Sequence, residues 1–499
     1  MTEQPPDEPR LIRSRGQRVG DLRVSRRRAE RGGLQRVLGV PALFSAAYGN
    51  VGSSIYYALG VTALYALGLT PLVFVISGVF FLFTALTYAE GAAAMPLAGG
   101  STVFARRAFG NGFAFIVGWA QILNYVVTIA ISALAVPSYL SVLWSGLKSF
   151  PANVIVAIGV TIVLAAVNMI GIRESSRINI TLAIVDLTTQ ALIVVMGLFI
   201  VLNVDLLTSN IDFGAAPTVR QFLLGIAISM IAYTGIETVS NLSEETRNVS
   251  RTVPRSILLT FATVMVMYTL IPLVALSAMP VQLVDGVYET RLATEFIADP
   301  VLGIVQAFNL SGFLQRGLEV WVGLNAATIL TLATNAGMLG LSRLTYSLGR
   351  NRLLPARISE LHPVRRTPVN AIILTAILTS LLILPGRVTV LASLYAFGAM
   401  LSFTFAHASI IRLRVSEPEL ERPFHIPWNW HLRGHEIPIT ALLGAAATAL
   451  AWLVVVITQP ASWIVGFPWL GTGLLYYLWQ RRRDRLAHPR SSGSGAARR

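Results

Sequence analysis

The sequence predicts an all-α integral membrane protein with twelve transmembrane helices, and three observations lead to that fold class. The first is composition: 54% of the 499 residues are hydrophobic and only 13% are charged, far from the mixture typical of soluble domains. The second is a series of apolar stretches of about 20 residues, the length that crosses a bilayer core. The third is the alternation of arginine-rich and arginine-poor segments between those stretches.

Twelve apolar stretches follow one another along the chain, and we number them spans one to twelve. They cover residues 40–62, 69–95, 112–143, 152–171, 178–202, 221–243, 256–278, 319–345, 369–386, 388–411, 437–458 and 461–480. Each is predicted to be a helix, because a helix satisfies its own backbone hydrogen bonds where no water is available.

Arginine indicates the side of the membrane on which each loop lies. The tail before span one contains ten arginines, and residues 481–483 after span twelve are all arginine. Alternate loops also carry arginine, whereas the longest loop of the other set, 279–318, is mainly acidic. The positive-inside rule therefore predicts a multi-pass protein of the plasma membrane with both termini in the cytoplasm.

The same features exclude several classes of protein. The net charge of +15 follows from topology and contact with the anionic lipid bilayer, so we expect no nucleic-acid binding. The chain has no cysteine and its six histidines are scattered; with no nucleophile–base set or nucleotide loop, we expect no enzyme, metal site or cofactor. Residues 1–38 and 481–499 are predicted to be disordered tails around a transporter domain at 39–480. A non-transporting membrane sensor is a less favoured alternative, because these short tails leave no appended soluble domain.

Spans one and six are interrupted by small and polar residues at matching places. The interruptions are 48–54 (YGNVGSS), which we call break one, and 233–237 (YTGIE), which we call break six. Non-helical backbone inside a membrane is tolerated where it lines a cavity. A five-plus-five inverted repeat, with halves at 40–202 and 221–411 and residues 437–480 outside it, would place both breaks near the midplane. This arrangement predicts a secondary active transporter.

The two breaks offer complementary chemistry to a small-molecule substrate. The half-helix after break one would point its positive dipole end and free N–H groups at the cavity, which suits a carboxylate. Carbonyl groups at residues 231–236 would suit an ammonium group or another cation. A zwitterion fits both.

Residues 232–257, AYTGIETVSNLSEETRNVSRTVPRSI, resemble the sixth helix and following loop of the amino acid, polyamine and organocation permeases. Further matches lie at 95–110 after span two, 342–355 after span eight and 422–427 before span eleven. The resemblance covers about residues 35–480. It implies the LeuT-type fold and alternating access, in which spans one, two, six and seven rock against the rest, and it implies transport of amino acids or related amines.

The resemblance also assigns a substrate site. Gly52, Ser53 and Ser54 would donate amides to a carboxylate, while carbonyls of Ile231, Ala232 and Thr234 would accept from an amine. The full predicted site comprises Asn50, Val51, Gly52, Ser53, Ser54, Ile231, Ala232, Tyr233, Thr234, Gly235 and Ile236. The spacing of polar residues in spans three and eight adds Asn124, Tyr125 and Asn325, which would shape the side-chain pocket. The favoured alternative for each of these three is an interhelical hydrogen bond. Ser54 departs from the family, which usually has glycine there.

Two acidic residues are candidates for ion coupling. Asp186 stands where many sodium-independent family members carry lysine, and an ionisable residue within a span is a functional candidate by default. It would bind the coupling ion, a proton or else sodium; the alternative is a structural, hydrogen-bonded aspartate. Glu237 in break six would either gate the site or hold loose backbone N–H groups.

Break one supports a competing prediction. The run from Tyr48 to Ser54 also resembles a motif of Kup-type potassium transporters, with Asn50 in place of an aspartate. Uptake of potassium or another inorganic cation is therefore the alternative function. The missing carboxylate weakens that alternative, because it removes the fixed negative charge that a cation would meet.

Overall fold

A helix lies over each of the twelve predicted spans, so the predicted all-α fold is confirmed. The computed structural model describes residues 36–487 except 172–175, 209–210, 212, 364, 366 and 433. The predicted tails at 1–35 and 488–499 lie outside the described residues. The last helix continues to Ala487, into the segment predicted to be disordered.

We number the helices and strands in chain order. The helices are α1 (Val40–Val51), α2 (Ile55–Ala66), α3 (Thr70–Ala94), α4 (Ser101–Phe109), α5 (Asn111–Leu140), α6 (Ala152–Ile170), α7 (Ser176–Ile200), α8 (Val204–Thr208), α9 (Val219–Ser229), α10 (Glu237–Asn241), α11 (Val249–Ala278), α12 (Pro300–Ala307), α13 (Gly312–Arg350), α14 (Ala356–Ser359), α15 (Val369–Ile383), α16 (Val388–Ser416), α17 (Ile439–Thr458) and α18 (Phe467–Ala487). The strands are β1 (Gln282–Val284), β2 (Val287–Glu289), β3 (Asn429–Leu432) and β4 (His435–Pro438).

The helices differ in whether they are long and apolar enough to cross a membrane. Among the described residues, nine helical segments are long and apolar enough to cross a membrane by length and composition. The first of them, Val40–Ala94, contains predicted spans one and two. Helix α15 is shorter, and α18 is not among the nine. Twelve crossings therefore stay a prediction.

Burial separates central helices from peripheral ones. Nearly every residue of α2 and the middle of α5 is buried, whereas α6, α7 and α17 expose large apolar side chains on one face. Examples are Ile155, Phe199 and Ile457, exposed by 65%, 87% and 71%. In a membrane protein these faces contact lipid, so the buried helices form the centre of the bundle.

Two short antiparallel hairpins, β1–β2 and β3–β4, were not predicted. The first turns at Asp285 and Gly286, which both have positive φ (52° and 79°). An Asp-Gly pair at such a turn is a strong hairpin signal, and it could have been found from sequence. The hairpin and helix α12 fill the long acidic loop.

Two ion pairs with a buried carboxylate lie near the ends of the bundle. Arg414 donates to both carboxylate oxygens of Glu90, at 2.8 and 2.6 Å, and both side chains are almost fully buried. Lys148 donates to both oxygens of Asp299, at 2.7 and 2.9 Å, and Asp299 is buried. Each carboxylate thus has a fixed cation beside it.

The segment after break six contacts the ends of other helices on the arginine-rich side of the bundle. Glu245 pairs with Arg343 at 3.1 Å, and Glu244 pairs with Arg350 at 3.3 Å, both arginines lying on α13. The carbonyl of Glu245 also accepts from the N–H of Leu38, just before α1. These contacts hold span six, span eight and the chain before span one together on the arginine-rich side.

Candidate functional site

Break one contains a short 3-10 turn, Gly52–Ser54, between two α-helical segments. The hydroxyl of Tyr268, on α11, lies in the hydrogen-bond ladder at this turn. It donates to the carbonyl of Val51 and accepts from the N–H of Ile55, at 3.2 Å for the latter. One side chain therefore replaces the backbone hydrogen bond that an uninterrupted helix would make between these residues, a known cause of helix distortion.

The other donors at break one also have partners within the protein. The N–H of Gly52 donates to the carbonyl of Tyr48. The hydroxyls of Ser53 and Ser54 both donate to the carbonyl of Asn50, each at 3.2 Å. The N–H of Gly52 and the hydroxyls of Ser53 and Ser54 are therefore already bonded within the protein.

Break six departs further from a helix. After a 3-10 turn at Met230–Tyr233, Thr234 is extended, and Gly235 has a φ of +116° that strongly favours glycine. The N–H and hydroxyl of Thr234 both donate to the carbonyl of Ile231. That carbonyl, predicted to accept a substrate amine, thus already has two donors.

The two breaks contact each other through Asn50. Its Nδ2 donates to the hydroxyl of Thr238, at 3.0 Å, on the far side of break six. A Cβ added to Gly235 would lie only 2.9 Å from the Cγ of Asn50. The structure therefore brings the predicted residues of both interruptions together in the buried centre of the bundle.

Glu237 lies beside this contact and is buried. Its Oε2 accepts from the N–H of Gly235 at 2.9 Å, and its Oε1 accepts from Nδ2 of Asn124 at 3.0 Å. It takes part in none of the ion pairs found among the described residues. Glu237 thus bonds one backbone N–H of break six and one amide of α5, and its gating role stays a prediction.

Several buried polar atoms around Glu237 lack a hydrogen-bond partner in the described part of the chain. Two are amide oxygens that can only accept, Oδ1 of Asn50 and Oδ1 of Asn124. Burying such atoms without partners is costly, so a group of them marks a position where a ligand could bond.

Asp186, on α7, is fully buried and accepts four hydrogen bonds. Tyr56 and Asn325 donate to Oδ1 at 2.7 and 3.0 Å. Tyr48 and Gln190 donate to Oδ2 at 2.9 and 2.8 Å. Tyr48 and Tyr56 lie on opposite sides of the 3-10 turn, so this one carboxylate ties both halves of span one to spans five and eight.

Other predicted site residues lie in different surroundings. Asn325 donates to Asp186 across to span five, an interhelical hydrogen bond of the kind expected as the alternative to a pocket role. The hydroxyl of Tyr125 accepts from Asn241 at 2.5 Å, and that of Tyr233 donates to the carbonyl of Phe74. A cavity of about 110 Å³ lies away from the breaks, beside Arg106 and Ser347.

The sequence analysis missed Tyr56, Gln190 and Tyr268 as site residues. A tyrosine in an apolar span is usually a packed core residue, so hydropathy gives no signal for Tyr268. Gln190, by contrast, lies one helical turn after Asp186. The spacing of four between two polar residues in an apolar span would have indicated that both face the same side.

Comparison with known proteins adds a second line of evidence. The family described as amino acid permease matches residues 38–478. The branched-chain amino acid permease BcaP of Bacillus subtilis is 25% identical over 91% of this chain and 95% of its own length. The methylthioribose transporter of Bacillus subtilis is 25% identical over 83% of this chain and 86% of its own. The low-affinity putrescine importer PlaP of Escherichia coli K12 is 26% identical, over 81% and 84%.

Proposed function

The chain belongs to the amino acid permease family, and from that premise we propose that it carries an amino acid or a related amine across the plasma membrane by proton-coupled secondary transport. The observation that carries the proposal is the contact between the two interrupted helices at Asn50 and Gly235. Interrupted helices that meet in the centre of a bundle are where such transporters bind solutes. The names of the relatives, a branched-chain amino acid permease and a putrescine importer, support the substrate class.

The substrate would bind between the two breaks, against α5, α13 and α16. Asn124 on α5 already contacts Glu237 of span six, and Tyr395 on α16 contacts Thr234. These contacts close the site around the breaks. Binding would therefore require the bundle of spans one, two, six and seven to move relative to the others.

The ion pairs after break six fit the same movement. Glu244 and Glu245 lie on the segment that follows span six, whereas Arg343 and Arg350 lie on α13. Opening towards the cytoplasm would separate these pairs. We infer that this conformation is closed on its cytoplasmic side.

Asp186 would couple the proton to that movement. Its partners Asn325 and Gln190 can only donate through their amide nitrogens, so a protonated Asp186 would require the hydroxyl of Tyr48 or Tyr56 to turn and accept. Protonation would thus change the contacts that hold the two halves of span one. Sodium binding at the same carboxylate is the second form of coupling that the experiment must separate.

Uptake into proteoliposomes tests the proposal. Labelled amino acids and polyamines are pooled and supplied with an inward proton gradient and no sodium, and rubidium is supplied in parallel as a potassium surrogate. We expect accumulation of an organic solute that collapses with a protonophore. Accumulation of rubidium alone would overturn the proposal in favour of inorganic cation uptake, and accumulation that needs a sodium gradient would overturn proton coupling.

The variant Asp186→Asn tests the coupling residue. It should abolish the dependence of uptake on the proton gradient, because an amide cannot take up and release a proton at neutral pH. Asp285→Asn, the same change in the exposed turn of the β1–β2 hairpin, is the matched control and should behave as the parent does. Unchanged proton dependence in Asp186→Asn would assign that residue to structure alone.

A further inference from the structure

We propose that the site recognises its substrate by a positively charged amine, held by Glu237, Asn50 and Asn124, and that it requires no carboxylate on the substrate. This inference rests on the proposed transport function and narrows its substrate class. It reverses one part of the sequence-based expectation, in which amides of break one bind a carboxylate.

The first step concerns hydrogen-bond donors at break one. A substrate carboxylate needs free N–H or O–H groups. Here the N–H of Gly52 is bonded to the carbonyl of Tyr48, and the N–H of Ile55 donates to the hydroxyl of Tyr268. The hydroxyl of Tyr268 therefore occupies the place where a carboxylate oxygen would meet the N–H of Ile55.

The second step concerns acceptors at break six. The carboxylate of Glu237 has two donors, fewer than the roughly four that a carboxylate can accept. Oδ1 of Asn50 and Oδ1 of Asn124 are buried and have no partner in the described ranges. Asn124 contacts Glu237 directly, and Asn50 contacts Thr238, the residue after it.

The third step compares this set with an ammonium group. A primary ammonium carries three N–H donors and no acceptor. Glu237 and the two amide oxygens provide three acceptors, and no described ion pair gives Glu237 a cation from the protein. An ammonium would satisfy all three acceptors and balance the buried charge, whereas a carboxylate at the same place would meet the like charge of Glu237.

The test uses three molecules with the same side chain. Leucine carries both charged groups, isopentylamine carries only the amine, and 4-methylpentanoate carries only the carboxylate. Each is offered as a competitor of the solute that pooled uptake identifies, with the full chain in proteoliposomes. If that solute is an amino acid other than leucine, the three competitors are that amino acid, the amine that lacks its carboxylate and the acid that lacks its amine.

We expect the amine to compete within about threefold of the amino acid, and the acid to compete at least 100-fold more weakly. An amino acid that competes at least 30-fold better than its amine would overturn the inference and leave the proposed transport function standing. Absence of uptake of any organic solute would instead overturn the proposed function.

Two variants should change selectivity in opposite ways. Glu237→Gln should weaken competition by the amine at least tenfold, whereas Glu319→Gln, the same change at the outer end of α13, should leave it as in the parent. Tyr268→Phe removes the side-chain acceptor of the Ile55 N–H and leaves it only the carbonyl of Ser53, so the ratio of amino acid to amine affinity should rise at least threefold. A purely structural Tyr268 would weaken both competitors equally, and that result would contradict the proposed exclusion of a carboxylate.

Asn124→Ala keeps the inference testable if Glu237→Gln does not fold. It removes one acceptor without changing the charge, and it should weaken the amine about threefold. Size-exclusion profiles of the detergent-purified variants establish folding before uptake is compared. Unchanged amine affinity in a folded variant of either residue would overturn the inference.

Discussion

The two acidic residues in the centre of the bundle, Asp186 and Glu237, are both buried and neither is in a described ion pair, yet their surroundings differ. Asp186 accepts from four donors on three spans. Glu237 accepts from two donors and lies beside amide oxygens without partners. The carboxylate of Asp186 has about as many donors as a carboxylate can accept, whereas that of Glu237 has only two. Each lies beside amide oxygens without a partner among the described residues, Oε1 of Gln190 in the first case and Oδ1 of Asn50 and Asn124 in the second. Burial of a carboxylate alone therefore does not indicate its role; the balance of donors and acceptors around it does.

The carboxylates near the ends of the bundle form a useful contrast. Glu90 and Asp299 are as deeply buried, but Arg414 and Lys148 donate to both oxygens of each. A carboxylate with a fixed cation has no charge left to balance. Neither of the two central carboxylates takes part in an ion pair among the described residues.

We expect the largest loss of stability when Asp186 is replaced by alanine, and a smaller loss for the same change at Glu237. Asp186→Ala leaves four buried donors without an acceptor, and each costs about 1–3 kcal/mol, so the loss should be on the order of 4 kcal/mol or more. Glu237→Ala leaves only two donors and should cost about half as much, although it creates the larger cavity. Thermal unfolding in detergent measures both. Equal melting temperatures for the two variants would contradict the inferred difference between the two environments.

The next prediction is for Glu90, whose carboxylate is paired with Arg414. Arg414→Met leaves Glu90 buried beside the more distant Arg422, whose Nε lies 3.5 Å away, and should cost about 3 kcal/mol. Adding Glu90→Gln to the same chain should recover part of that loss, because the buried charge is then gone. Thermal unfolding of the single and double variants measures this recovery. A double variant less stable than Arg414→Met would show that charge balance does not govern Glu90.

The smallest effect depends on pH. Burial raises the pKa of Asp299 above its usual range, and Lys148 opposes that shift. Lys148→Met should raise this pKa further. An acid whose pKa is higher in the folded state stabilises the fold below its unfolded pKa, and this stability is lost as the pH rises through the folded pKa.

The free energy of unfolding of Lys148→Met should therefore be closest to that of the parent at about pH 4. Above neutral pH it should be lower than that of the parent by about 1–2 kcal/mol. Unfolding midpoints across this range give the result. Arg291→Met, which removes a cation from an exposed pair, is the control and should show no such trend. A deficit for Lys148→Met that does not change with pH would contradict the assignment.

Much of the fold could be predicted from the sequence because hydropathy and turn signals act locally. The positions of the helices, the two interruptions and the glycine at 235 all follow from short patterns. The β1–β2 hairpin also had a local signal at Asp285 and Gly286. Twelve crossings do not follow from the helices alone, because α15 is short and the last third of α18 is rich in arginine.

The partners within the site could not be predicted, because they depend on helix rotation and on contacts between distant spans. Asp186 was identified from its position, but Tyr48 and Asn325 are 138 and 139 residues away from it. Asn325 was assigned to the pocket since a polar residue in a span must face inward; which neighbour it meets requires the packed bundle. Tyr268 gave no signal at all for the same reason.

The hydroxyl of Tyr268 makes one backbone amide a reporter of helix separation. In an ordinary helix the N–H of Ile55 would exchange with deuterium when the helix frays, independently of its neighbours. Here that N–H donates to a side chain of α11 as well as to the carbonyl of Ser53, so its exchange requires α11 to withdraw or rotate in addition to local opening of the turn. The exchange rate of this single amide therefore measures how often spans one and seven part, and it should change when substrate binds between the breaks.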